Sequence, residues 1–115
     1  MQKFSLDAIV REQAKRASAA SSGRSAETVF GGHEHMLRQT VIVLTAGSAL
    51  DEHENPGEAT IQVLRGRVRL IAGQVAWEGR TGDLLIVPDA RHAVEAIEDS
   101  AILLTVSKDT QPSRP

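Results

Sequence analysis

The sequence predicts an all-β domain preceded by one N-terminal α-helix, and three observations carry that prediction. Short runs rich in β-branched and aliphatic residues recur after Glu27: Thr28–Phe30, Gln39–Ala46, Thr60–Leu64, Arg67–Ala72, Leu84–Val87 and Ala101–Val106. Each is bounded by Gly, Pro or acidic residues, the punctuation of an antiparallel sandwich or barrel. A helical apolar stripe is confined to the N-terminus.

The helix comes first. Ser5 is a suitable N-cap and Asp7 suits the positive end of the helix dipole. Leu6, Ile9, Val10, Ala14 and Ala17 share one face, a stripe that needs a surface to dock on. Ser18 to Ala26 is small, polar and glycine-bearing and reads as a linker. Gln39–Ala46 is nearly all apolar, as in a strand covered on both sides. In Arg67-Val68-Arg69-Leu70 the arginines fall on one face and the aliphatics on the other. Arg65-Gly66 reads as a tight reversal between that run and the one carrying Ile61 and Val63. The chain thus divides into residues 1–26 (helix and linker), 27–108 (β-barrel domain) and 109–115 (tail).

Composition narrows the function. A chain of 115 residues has room for one core, and 41% hydrophobic with 24% charged residues is globular rather than disordered. Thirteen Lys and Arg against fifteen Asp and Glu give net −2, which supplies no basic field for nucleic acid. The absence of Cys excludes disulfides, thiolate metal sites and a cysteine nucleophile. With no Tyr and 3% aromatics the core is built from Val, Leu, Ile and Ala. No apolar run approaches the roughly 20 residues of a membrane helix, and Asp7, Arg11 and Glu12 interrupt any signal-like stretch. The expectation is a cytoplasmic protein with no membrane partner.

Two glycine frames carry a resemblance. Gly47 is followed by five residues, His53-Glu54-Asn55, three residues, Ala59, six residues and Gly66. Further on come Gly82, five residues, Pro88 and Asp89-Ala90-Arg91-His92. Over residues 40 to 107 this pattern resembles the two motifs of the small single-domain cupins, the RmlC-like jelly-roll family. The resemblance implies a cupin-type jelly-roll β-barrel, usually a homodimer, with a pocket at one mouth. In members with the full motif, two His and a Glu of the first motif and a His of the second hold a divalent metal. Here the second His is Asn55 and the Glu is Ala59, so the metal motif is degenerate.

The candidate ligands for Fe, Mn, Ni, Cu or Zn are therefore His53, Asn55 and His92, with Glu58, His33 and His35 as weaker ones. Positions 53, 55 and 59 share strand parity, which aims them at one interior. Imidazole and carboxylate suit these metals, but two imidazoles are fewer than a tight catalytic site uses. Glu58 would serve only if the Pro56-Gly57 turn broke parity. His33 and His35 would serve only if a strand before the motif lined the same pocket. Arg91 is placed at the mouth, where it would favour an anionic small molecule. Trp77 reads as core or dimer-interface packing, and the arginines 65, 67 and 69 as a solvated face.

Three functions fit this reading. The first is a cupin that binds a small molecule in its barrel pocket, with at most a weak divalent metal site. The second is a metal-dependent enzyme of dioxygenase or isomerase type. The third is an interaction module with a filled pocket.

Overall fold

The computed structural model describes residues 1–53 and 57–108. Asn55 and the tail at 109–115 lie outside the described residues. Helix α1 spans Leu6–Ala19 and nine strands follow: β1 Arg24–Phe30, β2 Leu37–Leu44, β3 Ala49–His53, β4 Gly57–Arg65, β5 Arg67–Ala72, β6 Val75–Arg80, β7 Leu84–Ile86, β8 His92–Ala96 and β9 Ser100–Lys108. They form two antiparallel sheets in the orders β1-β2-β9-β4-β7 and β3-β8-β5-β6. The two sheets face each other as a jelly-roll sandwich, and no ladder joins their edges among the described residues.

Strand periodicity explains the packing. Ala59, Ile61 and Val63 of β4 are buried while Glu58 and Gln62 are exposed. Val68 and Leu70 of β5 and Val94 and Ala96 of β8 face them across the gap, and with Ile42, Leu44, Leu85, Ile102 and Val106 they make one aliphatic core. The buried run Val41–Leu44 divides between two environments, as its unbroken apolarity predicts. Ile42 and Leu44 enter the inter-sheet core, while Val41 and Val43 turn outward beneath the helix. There they meet Val10, Ala17 and Ala101 in a second, smaller core.

The helix docks on its own domain, and its sequence explains how. Ser5 Oγ caps it by accepting from Ala8 N at 3.2 Å. Gln13 lies in the middle of the docking face and is 2% exposed. A buried amide needs partners on both ends. Its Nε2 donates to Glu27 Oε1 at 3.1 Å, and Ser25 Oγ donates to its Oε1. Ser25 and Glu27 stand on β1, so a polar clasp joins helix to sheet where the apolar stripe is thin.

Three expectations are corrected here. The linker at 18–26 is shorter: the helix runs to Ala19 and β1 begins at Arg24, zipped to β2 from Arg24↔Leu44 onward. Backbone pairing with a neighbour made a strand of small polar residues that carry no β signal themselves. Strands β3, β6 and β8 were not among the apolar runs, because acidic residues break up two of them and β6 is mostly exposed.

The third concerns Arg65-Gly66, which is a corner and not a hairpin. β4 pairs with β7 and β9, whereas β5 pairs with β6 and β8, so the chain crosses from one sheet to the other at Gly66. Gly66 has φ +92°, and a Cβ there would collide with the Asp99 carbonyl and Ser100. The buried Ser100 hydroxyl accepts from Arg67 N at 2.9 Å and secures the same corner.

On the outer face of the second sheet, Glu78 sits between Arg67 and Arg69, and Arg69 also meets Glu95. The hydrogen bond from Arg67 holds the Glu78 carboxyl below its usual range. These arginines are paired on a solvated face, as the alternation predicts.

Substituting Gly66 by Ala should cost more than Gly73→Ala. Both sites have positive φ, which alone costs an alanine about 1–2 kcal/mol, but only Gly66 lacks space for a Cβ. Urea unfolding should show the larger midpoint drop for Gly66→Ala, and equal drops would contradict the corner's role.

Candidate functional site

Strands β3 and β8 run side by side and carry the two motif histidines. Leu50 pairs with Val94 and His53 with His92, so β3 spends three steps where β8 spends two. The extra residue is a β-bulge, which re-aims the side chains that follow it. Leu50 packs on the inter-sheet core. With unbroken alternation Glu52 would be the next residue inward and His53 would face out. The bulge brings His53 inward opposite His92.

The two rings lie 4.4 Å apart between centroids, tilted by 59°. His92 is 3% exposed and His53 is exposed, so the pair leads from the interior to the rim. Each ring is oriented the same way. Nδ1 of His53 lies 2.9 Å from the Asp51 carbonyl, and Nδ1 of His92 lies 2.9 Å from that of Ala90. A carbonyl only accepts, so each Nδ1 carries the hydrogen and each neutral ring keeps its lone pair on Nε2. No fully buried side-chain nitrogen or oxygen is without a partner among the described residues. Since His92 Nε2 has none there, it opens onto space that water reaches.

A cavity of about 340 Å³ is lined by Leu70, Ala72, Val75, Trp77, Leu85, Ile86 and Pro88. Ladder register shows how they relate. Leu50, Val94, Leu70 and Trp77 form one row across the inner face of the second sheet. The next row holds His53 and His92, then Ala72 and Val75. Ala72 and His92 each lie one residue past the last β5–β8 pair, Ile71↔Ala93. Neighbouring strands are roughly 4.8 Å apart, so His92 stands one strand from the cavity wall. The first sheet covers this region only with the three-residue strand β7 and the segment after it. That is why Trp77 is 67% exposed.

The remaining candidates lie elsewhere. Ala59 occupies the inward position on β4, and Glu58 faces outward, because the strand alternates from Gly57 on. His33 and His35 are exposed in the turn between β1 and β2, not on a strand, and His35 packs against Phe30 at 5.0 Å between ring centroids. Gly31 and Gly32, both at positive φ, break the strand just before them. Arg91 is exposed and donates from Nε to Glu52 at 3.0 Å, so it does not line the cavity. Trp77 is neither core nor buried.

The donor set can be compared with what a divalent metal needs. Both imidazoles present Nε2 lone pairs with Nδ1 anchored, as in metal-binding histidines. No group of three or more His, Cys, Asp or Glu among the described residues is placed to hold a metal ion. Resident zinc-type sites use at least three protein ligands. Among the described residues, the donor set therefore does not fit a tightly held metal centre. Sequence reasoning found the histidine pair through its glycine frames but missed the apolar cavity. Its signal was the small Ala72 ending a strand otherwise lined inward by Val68 and Leu70.

No protein-family model matches the sequence, and no curated protein does. Solved structures do. A conserved protein of unknown function from Streptococcus pyogenes is 25% identical, with 80% of each chain covered and a TM-score of 0.71. An RmlC-like cupin protein from Desulfovibrio desulfuricans is 25% identical over 73% of this chain and 81% of its own, with a TM-score of 0.65. A cupin superfamily protein from Desulfitobacterium hafniense is 16% identical over 75% and 78%, with a TM-score of 0.68. Among the described residues no helix is long and apolar enough to cross a membrane.

Deleting Asp51 should remove the bulge and leave His53 paired with His92, since one-for-one pairing from Leu50 then reaches the same partner. Cross-peaks between the two imidazoles in NMR spectra should persist. Their loss in a folded deletion variant would show that the bulge does not set the register.

Proposed function

Because the chain is a small cupin-domain protein, we propose that it binds a small molecule in the cup between its sheets, without a tightly held metal. The observation that carries this reading is the cavity of about 340 Å³ on the same inner face as the histidine pair. Ligand sites are typically concave, mostly apolar and supplied with a few convergent polar groups. The cavity provides the apolar wall, and His92 on β8, one strand away, with His53 beyond it on β3, provides polar groups. The degenerate motif supports the same reading, because Ala59, packed in the core, offers no carboxylate to a metal.

The test is a ligand-observed NMR screen of a small-fragment collection against the wild type and Ala72→Trp, which fills the cavity. Saturation transfer to a subset of fragments in the wild type, lost in the folded variant, is the expected result. A screen in which no fragment distinguishes the two proteins would overturn the proposal.

A second reading is a weakly bound divalent cation serving a metal-dependent enzyme. One observation favours it: both Nδ1 hydrogens are held by backbone carbonyls, which leaves both Nε2 atoms ready to coordinate. Binding to the native state adds stability, about 2.7 kcal/mol at a hundred times Kd. The proposed function expects Zn, Ni or Fe to raise the melting temperature of wild type no more than that of His53→Ala. A rise confined to the wild type would favour the second reading.

A further inference from the structure

We infer that the ligand of this cup is a compact, uncharged molecule with a flat apolar body and one hydroxyl or N–H donor at its end. The body lies against Trp77 and the donor reaches the histidine pair. This rests on the small-molecule reading above and adds the chemistry of the ligand.

Charge is excluded by the walls. Leu70, Ala72, Val75, Leu85, Ile86 and Pro88 offer no ionic partner, and among the lining side chains only that of Trp77 carries a polar group, its indole N–H. An ion taken into such a site loses hydration without compensation. Arg91, the nearest cation along the chain from His92, is engaged with Glu52 at the surface. Size follows from the volume of about 340 Å³, near the lower end of ligand sites. Flatness follows from Trp77, whose indole stands largely exposed at the rim and prefers to stack or to meet a ring edge.

The polarity of the ligand's end follows from the tautomers. With both Nδ1 hydrogens directed at the carbonyls of Asp51 and Ala90, each neutral ring offers only a lone pair on Nε2. A ligand oxygen that only accepts would oppose that lone pair, whereas a hydroxyl or N–H would satisfy it. His92 is the nearer partner, because it follows Ala72 in the same cross-strand row.

Three probes separate these requirements: para-cresol, its methyl ether and para-toluate. They share the ring and differ in offering a donor, an acceptor or a charge. Trp77 is the only Trp and the chain has no Tyr, so indole emission excited at the red edge reports the site alone. Para-cresol should bind roughly three- to tenfold tighter than its methyl ether, the worth of one hydrogen bond, and para-toluate weakest. The gap should vanish in His92→Leu, and His92 ring resonances in the wild type should shift with cresol only. The NMR arm stands even if the variant does not fold. Equal affinity for cresol and ether, or tightest binding of toluate, overturns this inference and leaves the small-molecule reading intact. If no probe binds, this inference fails, and the fragment screen decides the small-molecule reading separately; a dimer in sedimentation with shielded Trp77 emission, with that screen also empty, would assign the cup to a second copy of the chain.

Discussion

Ile61, Val63, Val68, Val94 and Ile102 meet between the two sheets, and this aliphatic contact determines where every other group stands. With so few aromatics in the chain, branched side chains must close the gap, and they do so only where strands from both sheets overlap. β4 and β9 supply that cover over most of the second sheet, while at its β6 edge the opposing sheet ends in the three residues of β7. The small Ala72 and the exposed Trp77 stand at that unfinished edge. The cavity is therefore what remains when a short, aliphatic chain builds a two-sheet core without enough bulk to fill it.

The histidine pair depends on the same contact. Leu50 is held inward by the core, and one additional residue in β3 then turns His53 to the inside beside His92. Both rings stand on one wall as cross-strand neighbours. Their Nδ1 hydrogens are committed to backbone carbonyls of their own segments, so their orientation is set locally and does not require a third residue. A polar end on an apolar cup is suited to orienting a bound molecule.

Much of the architecture was legible for definite reasons. The two-sided apolarity of Val41–Leu44 reflects burial against both the other sheet and the helix, and a buried strand shows that pattern regardless of its neighbours. Ser5 and Asp7 mark a helix start through local hydrogen bonding and the dipole. Gln13 was not legible, since an amide in an apolar stripe is satisfied only by Ser25 and Glu27, on a strand whose first residues, Ser25 among them, read as linker. Glu58 was legible in principle, because parity on β4 turns it out while turning Ala59 in. The directions of Arg91 and Trp77 were not, since both depend on which strands cover them.

By itself the sequence determined the element types, the alternation of faces and the spacing that brings His53 and His92 into one motif pattern, because these are local properties of neighbouring residues. Tertiary structure alone decided that Gly66 is a corner between sheets, that a bulge aims His53 inward, and that an apolar cavity opens one strand from His92. Each of those depends on which strands pair and where one sheet stops covering the other, and strand pairing links residues far apart along the chain.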